Sequence, residues 1–382
     1  MGYLNNAATT WPKPECVVNA VRDFMLTGGA NSSRGSNSQR DMKTLNIMLD
    51  CRIKLAEFFG GYDDDPMFVT FTANITESLN VVLRGYLREG MRVLTTSMEH
   101  NAVMRPLRAL ESKGLKIGIV QGDSRGLVKA EDIKRELDSV KYDLMVMSHA
   151  SNVCGTVQPV EEAAEICRKH SVPLVLDTAQ TAGVIPVNAS ELGLAALCFT
   201  GHKSLMGPQG TGGIIWNREF AERVEPLITG GTGSYSHLET QPDEMPDKFE
   251  SGTPNLPGIA GLNSALDWLN SEGIGKISER ENETGQYFLE GLKGIDGMIL
   301  SGLTEMKGRL PVFSFNIEGK DNGILADGLS RLGFETRPGL HCSPSAHKTL
   351  GTFPQGTLRV SPGYFTDTGE AGEFIYALKT LL

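Results

Sequence analysis

Lys203 is the first residue of this sequence placed to do covalent chemistry. It stands in Phe199-Thr200-Gly201-His202-Lys203-Ser204-Leu205-Met206-Gly207, where an apolar strand opens into a loop of glycine and small residues that a ligand can approach closely. An amine partly desolvated in such a loop can form a Schiff base. Upstream, Val175-Leu176-Asp177-Thr178-Ala179-Gln180 ends a second apolar strand on an acid, where open α/β sheets place their ligands. A lysine and an aspartate on neighbouring strand ends are what pyridoxal 5′-phosphate (PLP) asks for. The amine holds the aldehyde, and the carboxylate keeps the pyridine nitrogen protonated so that the ring can act as an electron sink. Singly, each has a plainer reading: Lys203 as a solvated loop amine, Asp177 as a helix N-cap. Cys342, in Arg337-Pro338-Gly339-Leu340-His341-Cys342-Ser343-Pro344, lies in a loop bracketed by Gly339 and Pro344, among basic neighbours that favour a nucleophilic thiolate. A zinc reading of His341, Cys342 and His347 lacks a fourth ligand of recognisable spacing.

Positioning these groups requires strands with exposed ends. Apolar, β-branched runs recur at Met67–Thr72, Arg92–Thr96, Leu115–Gln121, Asp143–His149, Pro173–Asp177, Leu197–Thr200 and Gly212–Trp216, alternating with helical patterns such as Thr76–Leu87 and Val160–His170. That alternation predicts an α/β fold with a mostly parallel sheet covered on both faces. The large domain is expected over residues 16–255. Residues 1–15 and 256–382 are expected to form a smaller α+β domain, with long helical patterns, the strands Leu310–Ile317, Phe334–Arg337 and Thr357–Val360, and a closing helix. At Phe71-Thr72-Ala73-Asn74-Ile75-Thr76-Glu77 a strand turns into a helix, whose first N–H groups plus a hydroxyl suit an anion; a ligand-free capping box is the alternative.

The 382 residues carry 36 Lys+Arg against 46 Asp+Glu, a net charge of −10, which argues against a nucleic-acid surface. No polybasic run or long apolar stretch points to a membrane, and the N-terminus has no signal-peptide pattern, so a cytosolic (cytoplasmic) enzyme is expected. Cysteines 16, 51, 154, 167, 198 and 342 show no CxxC pairing, which fits reduced thiols, and all but Cys342 read as packing residues.

Together, the stretches DTAQ (Asp177–Gln180), TGHK (Thr200–Lys203), GPQGTGG, FESGTPN and RPGLHC resemble the PLP-dependent cysteine desulfurase and selenocysteine lyase family, within the class V aminotransferases. The resemblance runs from Tyr3 to the C-terminal helix. It implies the aminotransferase-like fold (fold type I) with a seven-stranded sheet in the large domain. It also implies Lys203 as the Schiff-base lysine, Asp177 at the pyridine nitrogen, Gln180 at the ring hydroxyl and His100 stacked on the ring as a proton-transfer group. Asn74, Ile75, Thr76, Thr200 and His202 correspond to the phosphate site, although a Gly-Thr-Thr-Glu type sequence is usual where this chain has Asn74-Ile75-Thr76-Glu77, so one hydroxyl is lost. Thr253 corresponds to a residue reaching the partner subunit's phosphate, which implies a homodimer with sites completed in trans. Asn152 and Arg359 correspond to the groups that hold the substrate carboxylate, and Cys342 to the thiol that takes sulfur from L-cysteine, leaving alanine, for a sulfur-acceptor protein. The short loop around Cys342 resembles the sulfur-mobilisation branch. Asn5 stands where relatives commonly carry Asp. The same residues would serve a selenocysteine lyase acting on L-selenocysteine, and a class V aminotransferase or epimerase would need all of them except Cys342.

Overall fold

Short strands buried at nearly every position cannot face water, so helices must cover both sides of the sheet they form. The computed structural model describes residues 2–28 and 38–382. In chain order the first part comprises β1 (Gly2–Tyr3), α1 (Glu15–Asp23), α2 (Gln39–Phe58), β2 (Val69–Thr72), α3 (Ile75–Tyr86), β3 (Arg92–Thr96), α4 (Asn101–Glu111), β4 (Lys116–Val120), α5 (Ala130–Ser139), β5 (Leu144–Ser148), α6 (Val160–Lys169), β6 (Leu174–Asp177), α7 (Ala189–Leu192), β7 (Ala196–Thr200), β8 (Gly212–Trp216) and α8 (Arg218–Arg223). The remainder comprises α9 (Leu256–Glu272), α10 (Ile274–Lys293), β9 (Met298–Ser301), β10 (Phe313–Ile317), α11 (Asn322–Arg331), β11 (Phe334–Glu335), β12 (Arg337–Gly339), α12 (Pro344–Thr349), β13 (Thr357–Val360) and α13 (Thr368–Thr380).

The seven-stranded sheet has the order β2-β8-β7-β6-β5-β3-β4, and only β8 runs antiparallel to its neighbours. Alternate residues feed two cores: Met145, Met147, Leu174, Leu176 and Phe199 point to one face, Leu144, Val146, Val175 and Cys198 to the other. Helix α9 packs on α1 and α2, and its Ile259, Leu262, Leu266 and Leu269 join the first of these cores.

The second sheet is antiparallel, in the order β12-β13-β10-β9, with Phe313, Phe315 and Leu358 packed on Phe288 and Phe374 of α10 and α13. The run expected as one strand over Phe334–Arg337 is divided: β11 pairs with β1, whereas β12 pairs with β13. Cys51, Cys154, Cys167 and Cys198 are buried as expected, but Cys16 is exposed. On the amphipathic first turns of α1 the residue that turns inward is Val17. No described helix is long and apolar enough to cross a membrane.

One buried ion pair fastens the segment carrying Thr253 to the sheet. Arg52 on α2 donates to Val69 O and to Glu250 Oε2 (2.5 Å), while Glu250 Oε1 accepts the edge-strand N–H of Phe71 (2.6 Å). Removing the carboxylate strands a buried guanidinium, a loss of about 3–5 kcal/mol for such pairs. Glu250→Ala is therefore expected to lower unfolding free energy by about that amount, read from urea melts of the mutant and the parent; a loss under about 1 kcal/mol would contradict the pair's structural role.

Candidate active site

The crevice that gathers the reactive side chains opens where two neighbouring parallel strands part. β3 and β5 pair only at Val93↔Leu144 and Leu94↔Met145. β3 then stays with β4 up to Thr96↔Val120, and β5 stays with β6 up to Ser148↔Asp177. The connections run outward from this point in opposite directions, the switch point at which open α/β sheets leave room for a ligand. Asp177 ends β6 there, buried; its Oδ1 accepts the Ala179 N–H (2.8 Å), and its Oδ2 has no hydrogen-bond partner among the described residues. Burial pushes its carboxyl above the usual range, against the pull of Ala179 and Lys203. Lys203 follows β7, its ammonium held down to about 8 by burial and by Arg359 and Arg337, with Asp177 opposing. His100 caps α4: its Nδ1 accepts the Ala102 N–H (3.0 Å), so the neutral ring carries its proton on Nε2. Burial and the cations Lys203, Arg337 and Arg359 hold it down to about 3. Gln180 is buried and donates from Nε2 to Ala7 O (3.1 Å).

The turn from β2 into α3 is a formed capping box. Asn74 Oδ1 accepts the Glu77 N–H (3.1 Å), and Glu77 Oε2 accepts the Ala73 N–H (2.6 Å). The box leaves the N–H groups of Ile75 and Thr76 without partners among the described residues, beside the exposed Thr76 side chain. The capped turn therefore keeps two helix-start N–H groups available. Strand β8 approaches closely because residue 212 is glycine; a Cβ there would lie 2.9 Å from Asn74 Cα. Thr200 is buried with its hydroxyl 3.4 Å from Thr211 O, and His202 Nδ1 is buried without a partner. Thr253 is exposed and lines a cleft of about 310 Å³ with Ala73, Glu77 and Thr211 of its own chain.

The cysteine loop crosses from the second sheet to the first. His341 and Cys342 both adopt left-handed backbone, φ 48° and 60°, unusual for side chains with a Cβ. Asn152, after β5, holds the loop from both sides, donating to His341 O (2.8 Å) and accepting from Ser343 Oγ (2.7 Å). Cys342 O accepts the Asn101 N–H (2.8 Å), which docks the loop backbone on the turn that bears His100. His341 Nε2 meets Thr357 Oγ1 (3.0 Å) and His347 Nδ1 meets Thr352 Oγ1 (2.7 Å), and no group of three or more metal-ligating side chains forms among the described residues. Arg359 on β13 is buried, donating to Asn152 O and to Asn5 Oδ1 (2.9 Å each) and leaving Nε unpartnered. A buried guanidinium with a free N–H is ready for a carboxylate. Burial pushes Arg359 down, and so does Arg337.

Three residues of this site stand outside the set picked from sequence. Arg337, cross-strand from Arg359, places Nη2 3.6 Å from Cys342 Sγ. Asn5 orients Arg359 as a neutral acceptor. Glu99, immediately before His100, is fully buried between Thr96 and Ser148. The adjoining His100 is the one signal that pointed toward it.

Comparison with known proteins agrees with this architecture. The sequence pattern of the aminotransferase class-V family matches residues 2–373. A probable cysteine desulfurase of Pyrococcus abyssi is 31% identical, over 100% of this chain and 94% of that protein. One from Halalkalibacterium halodurans is also 31% identical, over 91% and 85%. The apo structure of a cysteine desulfurase from Thermococcus onnurineus NA1 superposes with a TM-score of 0.93 at 30% identity, covering 100% of this chain and 94% of that one. By sequence over nearly its whole length and by fold, this chain belongs to the class-V aminotransferase family.

Proposed function

We propose that this chain is a PLP-dependent cysteine desulfurase, converting L-cysteine to L-alanine and keeping the sulfur as a persulfide on Cys342 for an acceptor protein. The observation that carries the reading is the cysteine loop: a free thiol beside a guanidinium, docked on the turn that bears His100. The relatives named as cysteine desulfurases support it. The reading places the enzyme in the reducing cytoplasm, where Cys342 stays a thiol.

The donor set suits PLP. Ile75 and Thr76 N–H, the Thr76 hydroxyl and the orphaned His202 Nδ1 would hold the phosphate, with Asn74 shaping the turn and Thr200 at its edge. The free Oδ2 of Asp177 would face the ring nitrogen, Gln180 the ring hydroxyl and Lys203 the aldehyde. When bound, the cofactor supplies a covalent hold on the substrate amine and a protonated ring that accepts electron density from the α-carbon.

The chain's own residues do the rest. Arg359 takes the substrate carboxylate with Nε and the free N–H groups of its fork, and Asn152 retains one amide N–H for the same oxygen pair. Lys203, held down to about 8, can take a proton from the α-carbon and return one. The Nε2–H of His100 stands ready to pass a proton. Cys342 Sγ, as thiolate, attacks the substrate sulfur; the S–S bond forms as the carbon–sulfur bond breaks, with the electron pair staying on carbon. Protonation of that carbon completes the methyl group of alanine, and Arg337 faces the sulfur that gains the persulfide.

A homodimer follows from Thr253, whose hydroxyl would reach a partner's phosphate. Exposed Met42, Leu49 and Ile53 along α2, with Met25 and Leu26 nearby in sequence, supply apolar surface for such an interface.

Three outcomes test the reading. Borohydride reduction of the yellow holoenzyme should fix the cofactor to Lys203, and Lys203→Ala should lose that adduct; mass spectrometry placing it on another lysine refutes the assignment. Cys342→Ala should keep the visible spectrum and lose nearly all alanine formation from cysteine. It should retain a substantial share of any selenocysteine cleavage, because selenium leaves as the better anion; wild-type desulfuration by the mutant would make Cys342 incidental and favour an aminotransferase or epimerase. Mixing inactive Lys203→Ala and Thr253→Ala subunits should restore partial activity, since one site of the heterodimer escapes both lesions. No recovery after verified exchange would place Thr253 in its own chain's site.

A further inference from the structure

Glu99 is the one fully buried carboxylate at the floor of the crevice that the chemistry above leaves unused. It sits in the gap where β3 and β5 separate. Thr96 Oγ1 donates to its Oε1 (2.6 Å) and Ser148 Oγ to its Oε2 (2.7 Å), while the Ser148 N–H is shared between the two oxygens at 3.2 and 3.0 Å. In an unbroken ladder a β3 carbonyl would have satisfied that N–H; here the carboxyl does. Among the described residues no lysine or arginine pairs with Glu99. Ser148 lies directly opposite Asp177 in the β5–β6 register, so the hydroxyl that holds Glu99 and the Asp177 carboxyl leave the sheet on the same face, and the charge of Asp177 reaches Glu99.

We propose that Glu99 is a positioning residue of this site: its carboxyl ties the ends of β3 and β5 together, fixes the turn that presents His100, and backs Asp177 with a second acidic group that strengthens the hold on a protonated ring nitrogen. This rests on the PLP reading of Asp177. Burial pushes Glu99 up to about 7, and the charge of Asp177 adds to the effect. The other groups in this neighbourhood are His149, held neutral by burial down to about 4, His100 at about 3, and Lys203 on the far side of Asp177. Glu99 and, at about 8, Lys203 are thus the groups here whose charge changes around neutral pH, and comparing each variant with wild type at the same pH isolates the part that belongs to Glu99. A cation placed against Asp177 lowers the cost of ionising Glu99. By reciprocity, ionised Glu99 favours the cation. Below its pKa Glu99 is neutral and the assistance is gone; above it the assistance is complete.

The test measures PLP affinity of apo-protein by the change in protein fluorescence, for wild type, Glu99→Gln and Thr96→Val, at pH 6 and pH 8. Glutamine can still accept the Ser148 N–H and donate to Thr96, and melting curves establish that each variant is folded. Glu99→Gln should bind PLP about tenfold more weakly than wild type at pH 8 and within about twofold at pH 6. Thr96→Val should show the same pH-selective loss in smaller measure, which keeps the test valid if the glutamine variant does not fold. An equal loss at both pH values would reduce Glu99 to packing, and no loss at either would remove it from the site; both outcomes overturn the proposal. Asp177→Asn serves as the control. If it also binds PLP like wild type, the reading of Asp177 fails, a result distinct from failure at Glu99 alone.

Discussion

Asn152 joins three pieces of the site that the chain delivers from far apart. Its amide brackets Cys342 through His341 and Ser343, and its backbone carbonyl holds the guanidinium of Arg359. The cysteine loop, the Arg359 guanidinium and the end of β5 are therefore fixed against one another. The junction also carries strain. Left-handed backbone costs roughly 1–2 kcal/mol per residue for side chains with a Cβ, and His341 and Cys342 adopt it in succession. Hydrogen bonds from Asn152, Thr357 and Asn101 to this loop offset that cost. The same bonds fix the exposed Cys342 with its sulfur beside Arg337.

A chain with a net charge of −10 sets three cations close together in its crevice. Lys203 lies by Asp177 and Arg337 and Arg359 by Cys342, and each depresses the pKa of a neighbour: Arg337 and Arg359 act on Lys203, and all three act on His100. Each like charge favours the neutral amine and the neutral imidazole, which are the forms able to attack or relay a proton. The acidic exterior and the cationic crevice therefore give direction to an encounter with a small anion without any binding contact.

The parts of this site that were legible in sequence are those a strand end displays locally. An apolar run stopping at Asp177, another stopping before Lys203, and a third leading to His100 announce their positions through hydrophobic patterning. The seven-stranded sheet follows from the same runs. Helix α2 stayed hidden because apolar residues surround it: Met48, Cys51 and Leu55 face inward while Met42, Leu49 and Ile53 face out, which blurs the helical period. Arg337 was obscured by a three-residue strand whose pairing partner follows twenty residues later in the chain. Glu99 acquires its meaning from Ser148, 49 residues away, and nothing in the local sequence of either marks the other. Asn74 and Glu77 were readable as a capping box because both partners lie within one helical turn.

The deepest dependence is on the two ends of the chain. Asn6 N–H donates to Ser361 O and Ser361 N–H to Leu4 O, so the N-terminal segment lies along the end of β13. That pairing brings Asn5 to Arg359, 354 residues apart in sequence, and the same segment accepts the side chain of Gln180 through Ala7 O. A carboxylate at position 5 would pair with the arginine and compete with a substrate for its charge, whereas the neutral amide accepts one N–H and leaves the positive charge available. With Asn5 as its neighbour, Arg359 keeps a charge that burial and Arg337 already press down and that no described carboxylate pairs. Closure of the termini then comes before recognition: without the strand-end contact at Leu4–Asn6, the arginine keeps Asn152 O but loses its other acceptor, and the glutamine loses its anchor, so the side chains of the crevice lose part of what fixes their directions.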